Sequence, residues 1–182
     1  MSHTPPVYTP DALPDAETLY AGLREAVRRE LAALPAGSVH LVGIHSGGAW
    51  LAERLQADLG LPGKPGTLDI SFYRDDFDRI GLHSQVQPSD IPFVVADAHL
   101  IVVDDVLFTG RTIRAAMNEL FDYGRPASIR LAVLLDRGGR ELPVAACAVG
   151  ARVEPAPEGS LVLTRKEDGS FALALEKDSN DE

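Results

Sequence analysis

The chain has 182 residues, is 45% hydrophobic and 24% charged, and has a formal charge of −10, the size and composition of one globular unit with a substantial core. So acidic a chain makes a poor general binder of polyanions, although a local basic patch is compatible with it. No uninterrupted apolar run approaches the roughly 18 residues that span a bilayer, and Met1 to Pro14 lacks the charged-then-apolar order of a secretory signal, so a soluble, cytoplasmic protein is expected.

In chain order, Pro5, Pro6, Pro10 and Pro14 each remove an amide donor and restrict the preceding residue, which predicts a flexible, non-helical start over residues 1–11. Leu19, Leu23, Val27, Leu31 and Leu34 recur every three or four residues, predicting an amphipathic helix over Asp15 to Leu34 that stops near Pro35 and Gly37. Val39 to Ile44 reads as a buried strand, followed by a glycine-rich turn and a second helix, Trp50 to Leu59, closed by Gly60. Strands are predicted at Leu68 to Tyr73, Leu100 to Val103 and Ile129 to Leu135, with a helix at Ile113 to Tyr123 capped by Gly124. Val144 to Val149 is a further apolar strand, and Cys147 within it is expected to be a small buried hydrophobe. Ser160 to Thr164 and Ser170 to Leu175 form two short strands whose connection ends in Asp168-Gly169, a hairpin signal. The acidic end, Lys177 to Glu182, is expected to fray. Strands alternating with helices predict one α/β domain over residues 1–182: a mostly parallel sheet flanked by helices, with ligands outside the carboxyl ends of the strands.

No 20- to 50-residue period repeats, and a single cysteine rules out a disulfide within the chain. The five histidines form no HExxH or paired Cys/His pattern, so no dedicated metal site is expected and any metal arrives with a substrate.

The segment richest in chemistry is Ile101 to Thr112, IVVDDVLFTGRT. A buried strand runs into two carboxylates and then into a loop, Thr109-Gly110-Arg111-Thr112, that opens a helix. Unpaired amides and the positive end of the helix dipole favour a phosphate at such a turn. Side chains of neighbouring residues on an extended chain diverge, so Asp104 and Asp105 suit vicinal hydroxyls or a bound cation. The string fits neither GxxxxGK[ST] nor GxGxxG.

VVDDVLFTGRT resembles the phosphoribosyl-diphosphate motif of the type I phosphoribosyltransferases. The likeness extends through DISFYRDD (Asp69 to Asp76), SDIPF (Ser89 to Phe93), FDYGRPASIRLAVLLDRGGRELP (Phe121 to Pro143) and Val144 to Val149, in order, to the PyrR-type members, pyrimidine-operon attenuators that are also uracil phosphoribosyltransferases. The resemblance implies the type I phosphoribosyltransferase fold, with a small hood or flap that includes the C-terminal hairpin. It implies transfer of phosphoribose from 5-phosphoribosyl 1-diphosphate to uracil, giving UMP and pyrophosphate, with Mg2+ carried by the substrate. Two alternatives stand beside it: a UMP-responsive, RNA-binding transcription attenuator with little or no enzyme activity, and, since the motif reports the sugar-phosphate donor alone, a phosphoribosyltransferase for another base.

Carried over residue by residue, the resemblance gives Asp104 and Asp105 the ribose hydroxyls, and Asp105 the further option of stabilising the developing cation or taking the uracil proton. Val106, Leu107, Phe108, Thr109, Gly110, Arg111 and Thr112 complete the site for ribose and 5′-phosphate, the loop Thr109 to Thr112 binding the phosphate. His45, Ser46, Gly47 and Gly48 occupy the pyrophosphate loop, where many relatives have a threonine-arginine-glycine arrangement; the connector between strand and helix is the plainer reading. Tyr73 to Asp76 resembles the loop that closes over the site, with Arg74 either facing pyrophosphate or pairing with Asp75 or Asp76 in solvent. Asp136 and Arg137 lie where relatives approach the base; a surface ion pair is the alternative.

The resemblance also implies binding of an mRNA leader when uridine nucleotides are abundant, and a homodimer or homotetramer. Arg125, Arg137 and Arg140 are the RNA-binding candidates, forming a basic strip in a dimer. Gly139 departs from relatives that carry histidine there. The first forty residues set Arg24, Arg28 and Arg29 against Asp11, Asp15, Glu17, Glu25 and Glu30, so the chain's start adds no basic face.

Overall fold

A computed structural model describes residues 4–70 and 88–176. Its elements are β1 (Val7–Tyr8), a 3-10 turn at Pro10–Ala12, α1 (Ala16–Ala32), β2 (Val39–Ile44), α2 (Gly47–Asp58), β3 (Gly66–Leu68), β4 (His99–Leu107), α3 (Arg111–Tyr123), β5 (Ser128–Asp136), β6 (Ala148–Val153) and the pair β7 (Ser160–Arg165) and β8 (Phe171–Glu176). Strands β1 to β6 form a parallel sheet in the order β1-β6-β5-β4-β2-β3, and β7 and β8 form a separate antiparallel hairpin. The chain moves outward from β2 to β3, then returns to the other side of β2 to lay down β4. The order therefore reverses between β2 and β4, and parallel α/β sheets open a crevice at the carboxyl ends of the strands flanking such a reversal.

Both faces of the sheet are covered. Ile101 and Val103 of β4 join Leu41, Leu134, Leu51, Leu55, Leu19 and Leu23 beneath α1 and α2. Leu100 and Val102 point the other way, to Val42, Val133, Ile113 and Leu120 beneath α3. This alternation is why the strands read as unbroken apolar runs. Asp15 starts α1, its carboxylate accepting the Glu17 and Thr18 amides at 3.0 and 3.1 Å. No helix among the described residues is long and apolar enough to cross a membrane.

Four expectations shift. The proline-rich start contributes a strand: the carbonyls of Pro6 and Tyr8 accept from Arg152 and Glu154, so the N-terminus closes the edge of the sheet beside β6. Prolines are tolerated there because they flank an edge strand and need only accept. Helix α2 begins at Gly47, three residues before Trp50, because its first turn includes glycines that read as a loop. The segment 144–147 precedes β6, whose ladder with β5 starts at Ala132 and Ala148. Cys147 therefore sits on the rim of the sheet and is exposed rather than buried, although its thiol turns in to donate to the Leu131 carbonyl at 3.2 Å. Desolvation raises the thiol pKa, so it is a poor nucleophile. Strand β3 ends at Leu68, and the part of the predicted strand beyond Ile70 lies outside the described residues.

The hairpin is fastened to the body by two carboxylates, Glu53 of α2, which accepts from Arg165 of β7 at 2.7 Å, and Glu17 of α1. Glu17 accepts both Arg54 terminal nitrogens at 2.7 Å and the Phe171 amide at 2.7 Å. The same guanidinium lies 4.2 Å from the Tyr20 ring centre and 5.1 Å from that of Phe171, and the Tyr20 hydroxyl donates to Asp58 at 2.8 Å. The Arg54 hydrogen bonds, with help from the Phe171 amide, hold the Glu17 carboxyl below its ordinary value of 4.5. A depressed folded-state pKa contributes stability that is present above the unfolded value and is lost as pH falls through the folded one. Glu17→Gln should therefore lower the thermal midpoint at neutral pH, and the gap to wild type should narrow as the pH is taken below 4.5; melting curves across that range measure it.

Candidate functional site

The crevice at the β2/β4 reversal is built from two backbone segments in near contact. Strand β4 continues past its apolar run through Asp104 and Asp105 to Leu107, pairing Asp104 with Val133 and Val106 with Leu135. The acids reach back to the chain: Asp104 Oδ1 accepts the Asp105 amide at 3.0 Å and Asp105 Oδ1 the Val106 amide at 2.9 Å. Asp104 is buried and Asp105 half-buried.

Opposite them, β2 ends at Ile44, the His45 amide donates to the Leu68 carbonyl at 2.9 Å, and α2 starts at Gly47. A Cβ on Gly47 would lie 2.5 Å from Asp105 Oδ2, and one on Gly48 would lie 2.2 Å from the Val103 carbonyl oxygen and 3.0 Å from the Asp104 Cα. Only glycine lets the first turn of α2 approach the acid pair this closely. The backbone of Gly47 and Gly48 thus lies against the two acids. Ser46, just before Gly47, is exposed and makes no side-chain cap.

Beyond the acids, Gly110, at φ +93°, turns the chain into α3, and no side chain caps that helix. The Thr109 hydroxyl accepts the Arg111 amide at 3.2 Å. The Thr109 carbonyl accepts from both Glu141 and Leu142, at 3.0 and 3.1 Å, and the Glu141 carboxylate holds Arg111 Nε at 2.7 Å. Thr112 is half-buried in the first turn of α3. The support from Glu141 and Leu142 was not legible in the sequence, because a segment after β5 has no periodicity tying it to a loop thirty residues earlier.

Asp136 ends β5 level with Leu107 of β4. It does not form a surface pair with Arg137. Its carboxylate instead accepts from Arg140 Nη2 at 2.5 Å and the Gly138 amide at 3.0 Å. The rest of the Arg140 guanidinium donates to the carbonyls of Val144 and Phe108, at 3.1 and 2.6 Å. Arg137 spans the crevice rim: it donates to the carbonyls of Gly159 and Pro157 at 2.8 and 2.7 Å, with its guanidinium 4.2 Å from the Phe108 ring centre. The Phe108 ring fills the space beside Gly139, where a Cβ would come within 2.4 Å of it.

The structure thus brings together Asp104, Asp105, Val106 to Thr112, His45 to Gly48, Asp136, Arg137 and Arg140. Arg125 stands apart: it precedes β5 whereas Arg137 and Arg140 follow it, a separation of about 30 Å for nine residues of strand. The three arginines form no common strip on one protomer. Arg74 and its neighbours, Tyr73 to Asp76, lie outside the described residues. The edges of that stretch are joined, the Asp69 amide donating to Ser89 Oγ at 3.0 Å and Thr67 bridging Asp90. Among the described residues no three His, Cys, Asp or Glu side chains cluster as metal ligands.

Residues 11–159 match the phosphoribosyl transferase domain family. The chain is 51% identical over 158 residues to "Bifunctional protein PyrR" of Ralstonia nicotianae, covering 87% of this chain and 90% of that one. It is 49% identical to the protein of that name from Nitrosococcus oceani, with coverage of 86% and 90%. In fold it is similar to a hypoxanthine-guanine phosphoribosyltransferase of Bacillus anthracis, with TM-score 0.65, 18% identity and coverage of 85% and 88%. A hypoxanthine phosphoribosyltransferase of Staphylococcus aureus gives TM-score 0.61 at 19% identity, with coverage of 81% and 78%.

The two loop glycines meet different kinds of atom and should respond differently to substitution. Gly48→Ala runs into backbone, and we expect it to lower unfolding free energy by about 1–3 kcal/mol, the usual range for overpacking. Gly47→Ala meets only the Asp105 side chain, which can rotate, and should cost less; urea unfolding of both variants gives the comparison.

Proposed function

Because the chain belongs to the phosphoribosyltransferase family, and within it to the PyrR-type members, we propose that it is a uracil phosphoribosyltransferase that also regulates pyrimidine genes. The observation that carries the enzymatic reading is the contact of the Gly47–Gly48 backbone with Asp104 and Asp105 at the sheet reversal, followed in the same strand-loop-helix unit by Thr109 to Thr112. A sugar held by its hydroxyls on the two acids has a phosphate site on one side and a run of backbone groups on the other. Those are the three parts of 5-phosphoribosyl 1-diphosphate.

In the proposed reaction N1 of uracil forms a bond to C1 of the sugar as the C1–O bond to pyrophosphate breaks. The N1 proton is lost, and UMP and pyrophosphate leave. Positive charge develops on the ribose ring in between, so a carboxylate beneath it stabilises the transition state more than the ground state. Asp105, half-buried against Gly47, has that role. The amides at the start of α3, with the Thr109 and Thr112 hydroxyls, hold the 5′-phosphate. His45 to Gly48 take the pyrophosphate, with Arg74 as the added cation. Arg137, which joins the Phe108 ring to the Pro157–Gly159 carbonyls, and Asp136 border the base. Asp104 and Asp105 are the carboxylates available to a hard cation, and so small a protein donor set fits Mg2+ that keeps water and substrate oxygens as its other ligands. When bound, Mg2+ neutralises charge on the diphosphate.

The proposed regulatory role is binding of an mRNA leader in the presence of UMP, in a cytoplasmic homodimer or homotetramer. Arg125 is the exposed arginine among the three RNA candidates, while Arg137 and Arg140 are engaged within the crevice rim.

With uracil and 5-phosphoribosyl 1-diphosphate the protein should form UMP only when Mg2+ is supplied, and chelation should stop it. Asp105→Asn should lower kcat/KM by about 10²-fold or more with its melting temperature preserved. Equal rates for the variant and wild type, or preference for hypoxanthine or guanine in a competition of bases, would overturn the assignment.

A further inference from the structure

The chain turns from β4 into α3 through Phe108, whose main chain and side chain meet different parts of the crevice. Its carbonyl accepts from Arg140 Nη1 at 2.6 Å, and the next residue, Thr109, opens the turn into α3. The ring lies instead on the β5 side. Arg137 is across the ladder from it, the Arg137 amide donating to the Leu107 carbonyl at 3.1 Å and the guanidinium carbon standing over the ring, 4.2 Å from its centre. Gly139, at φ +74°, leaves the room, since a Cβ there would come within 2.4 Å of the ring. The same guanidinium donates to the carbonyls of Pro157 and Gly159 at 2.7 and 2.8 Å, immediately before β7. Phe108 is nevertheless 44% exposed. A ring so open to water gains little from burial, so its place reflects the neighbours it meets rather than a core it fills.

We propose that Phe108 is a positioning residue for the base: its ring orients the Arg137 guanidinium, and through it the 157–159 segment that leads into the hood. This role rests on the proposed uracil transfer and extends it, giving the side chain of a residue in the sugar-phosphate site a task on the acceptor side. A guanidinium is a planar fork whose donors point only in its own plane. A ring beneath it fixes that plane, and two carbonyls then fix its rotation. Without the ring the fork keeps its carbonyls but tilts, and the 157–159 segment tilts with it. The loosening falls on the base side, which Arg137 and Asp136 border. It spares the turn Thr109 to Thr112, whose supports are the main chain of Glu141 and Leu142, the Glu141 carboxylate on Arg111, and Arg140 on the Phe108 carbonyl. Tyrosine in place of Phe108 keeps the π face that attracts the cation, whereas leucine fills much of the space without one.

The test measures KM for each substrate in Phe108→Ala, Phe108→Leu, Phe108→Tyr and Arg137→Met, with hydrogen exchange over residues 154–163 read on the same proteins. Phe108→Ala should raise the KM for uracil roughly tenfold, the worth of a partly desolvated cation–π contact, while the KM for 5-phosphoribosyl 1-diphosphate stays within about twofold. Phe108→Tyr should restore the wild-type value and Phe108→Leu should not. Arg137→Met should reproduce the uracil defect, and Phe108→Ala/Arg137→Met should be no worse than Arg137→Met alone, because both changes remove the same linked contact. An equal rise in both KM values, a defect that adds in the double variant, or an unchanged KM for uracil overturns the proposal. If wild type makes no UMP from uracil, the proposed activity fails by itself and exchange decides: faster exchange over 154–163 in both Phe108→Ala and Arg137→Met supports the role, and exchange unchanged from wild type overturns it. Should Phe108→Ala not fold, Phe108→Leu takes its place in the same comparison.

Discussion

The site depends on how closely two stretches of main chain can approach each other. The first turn of α2 lies so near the end of β4 that a single added carbon at Gly48 would stand 2.2 Å from the Val103 carbonyl oxygen. With any side chain there, helix and strand would separate and the loop ahead of α2 would move off the acids. The acid pair and the loop are therefore one unit, made at the place where the sheet reverses direction, and the Thr109–Thr112 turn follows because β4 delivers its chain directly into α3.

Around that contact, the polar groups of the rim act mainly on one another. Arg140 ties Asp136 to the carbonyls of Phe108 and Val144, and Glu141 holds Arg111, so the segment after β5 braces the Thr109–Thr112 turn. Arg137 extends the bracing toward the segment before β7. Charge-assisted bonds of this kind, part-buried and shared among several acceptors, hold geometry better than an isolated surface pair does. The missing side chain at residue 139 has a structural counterpart in the Phe108 ring, which occupies that space. At the other end of the molecule, the Glu17–Arg54 and Glu53–Arg165 pairs set the hairpin against α1 and α2.

The element types, the parallel α/β class and the acid-plus-turn motif are legible in the local pattern of residues. Period and apolarity are local properties: Val39 to Ile44 is a strand in both readings, and α1 begins after Asp15 because that side chain caps its own neighbours. Motif residues adjacent in sequence, such as Asp104 and Asp105, carry their chemistry with them. Which separate segments meet is set by the assembled sheet. That Gly47 lies on Asp105, that Arg140 turns inward while Arg125 stands some strand-length away, and that Cys147 falls on the rim are consequences of strand order and register. None of these leaves a periodic trace, since burial and pairing across thirty to sixty residues depend on where the sheet places each strand end and not on the identity of the neighbours along the chain.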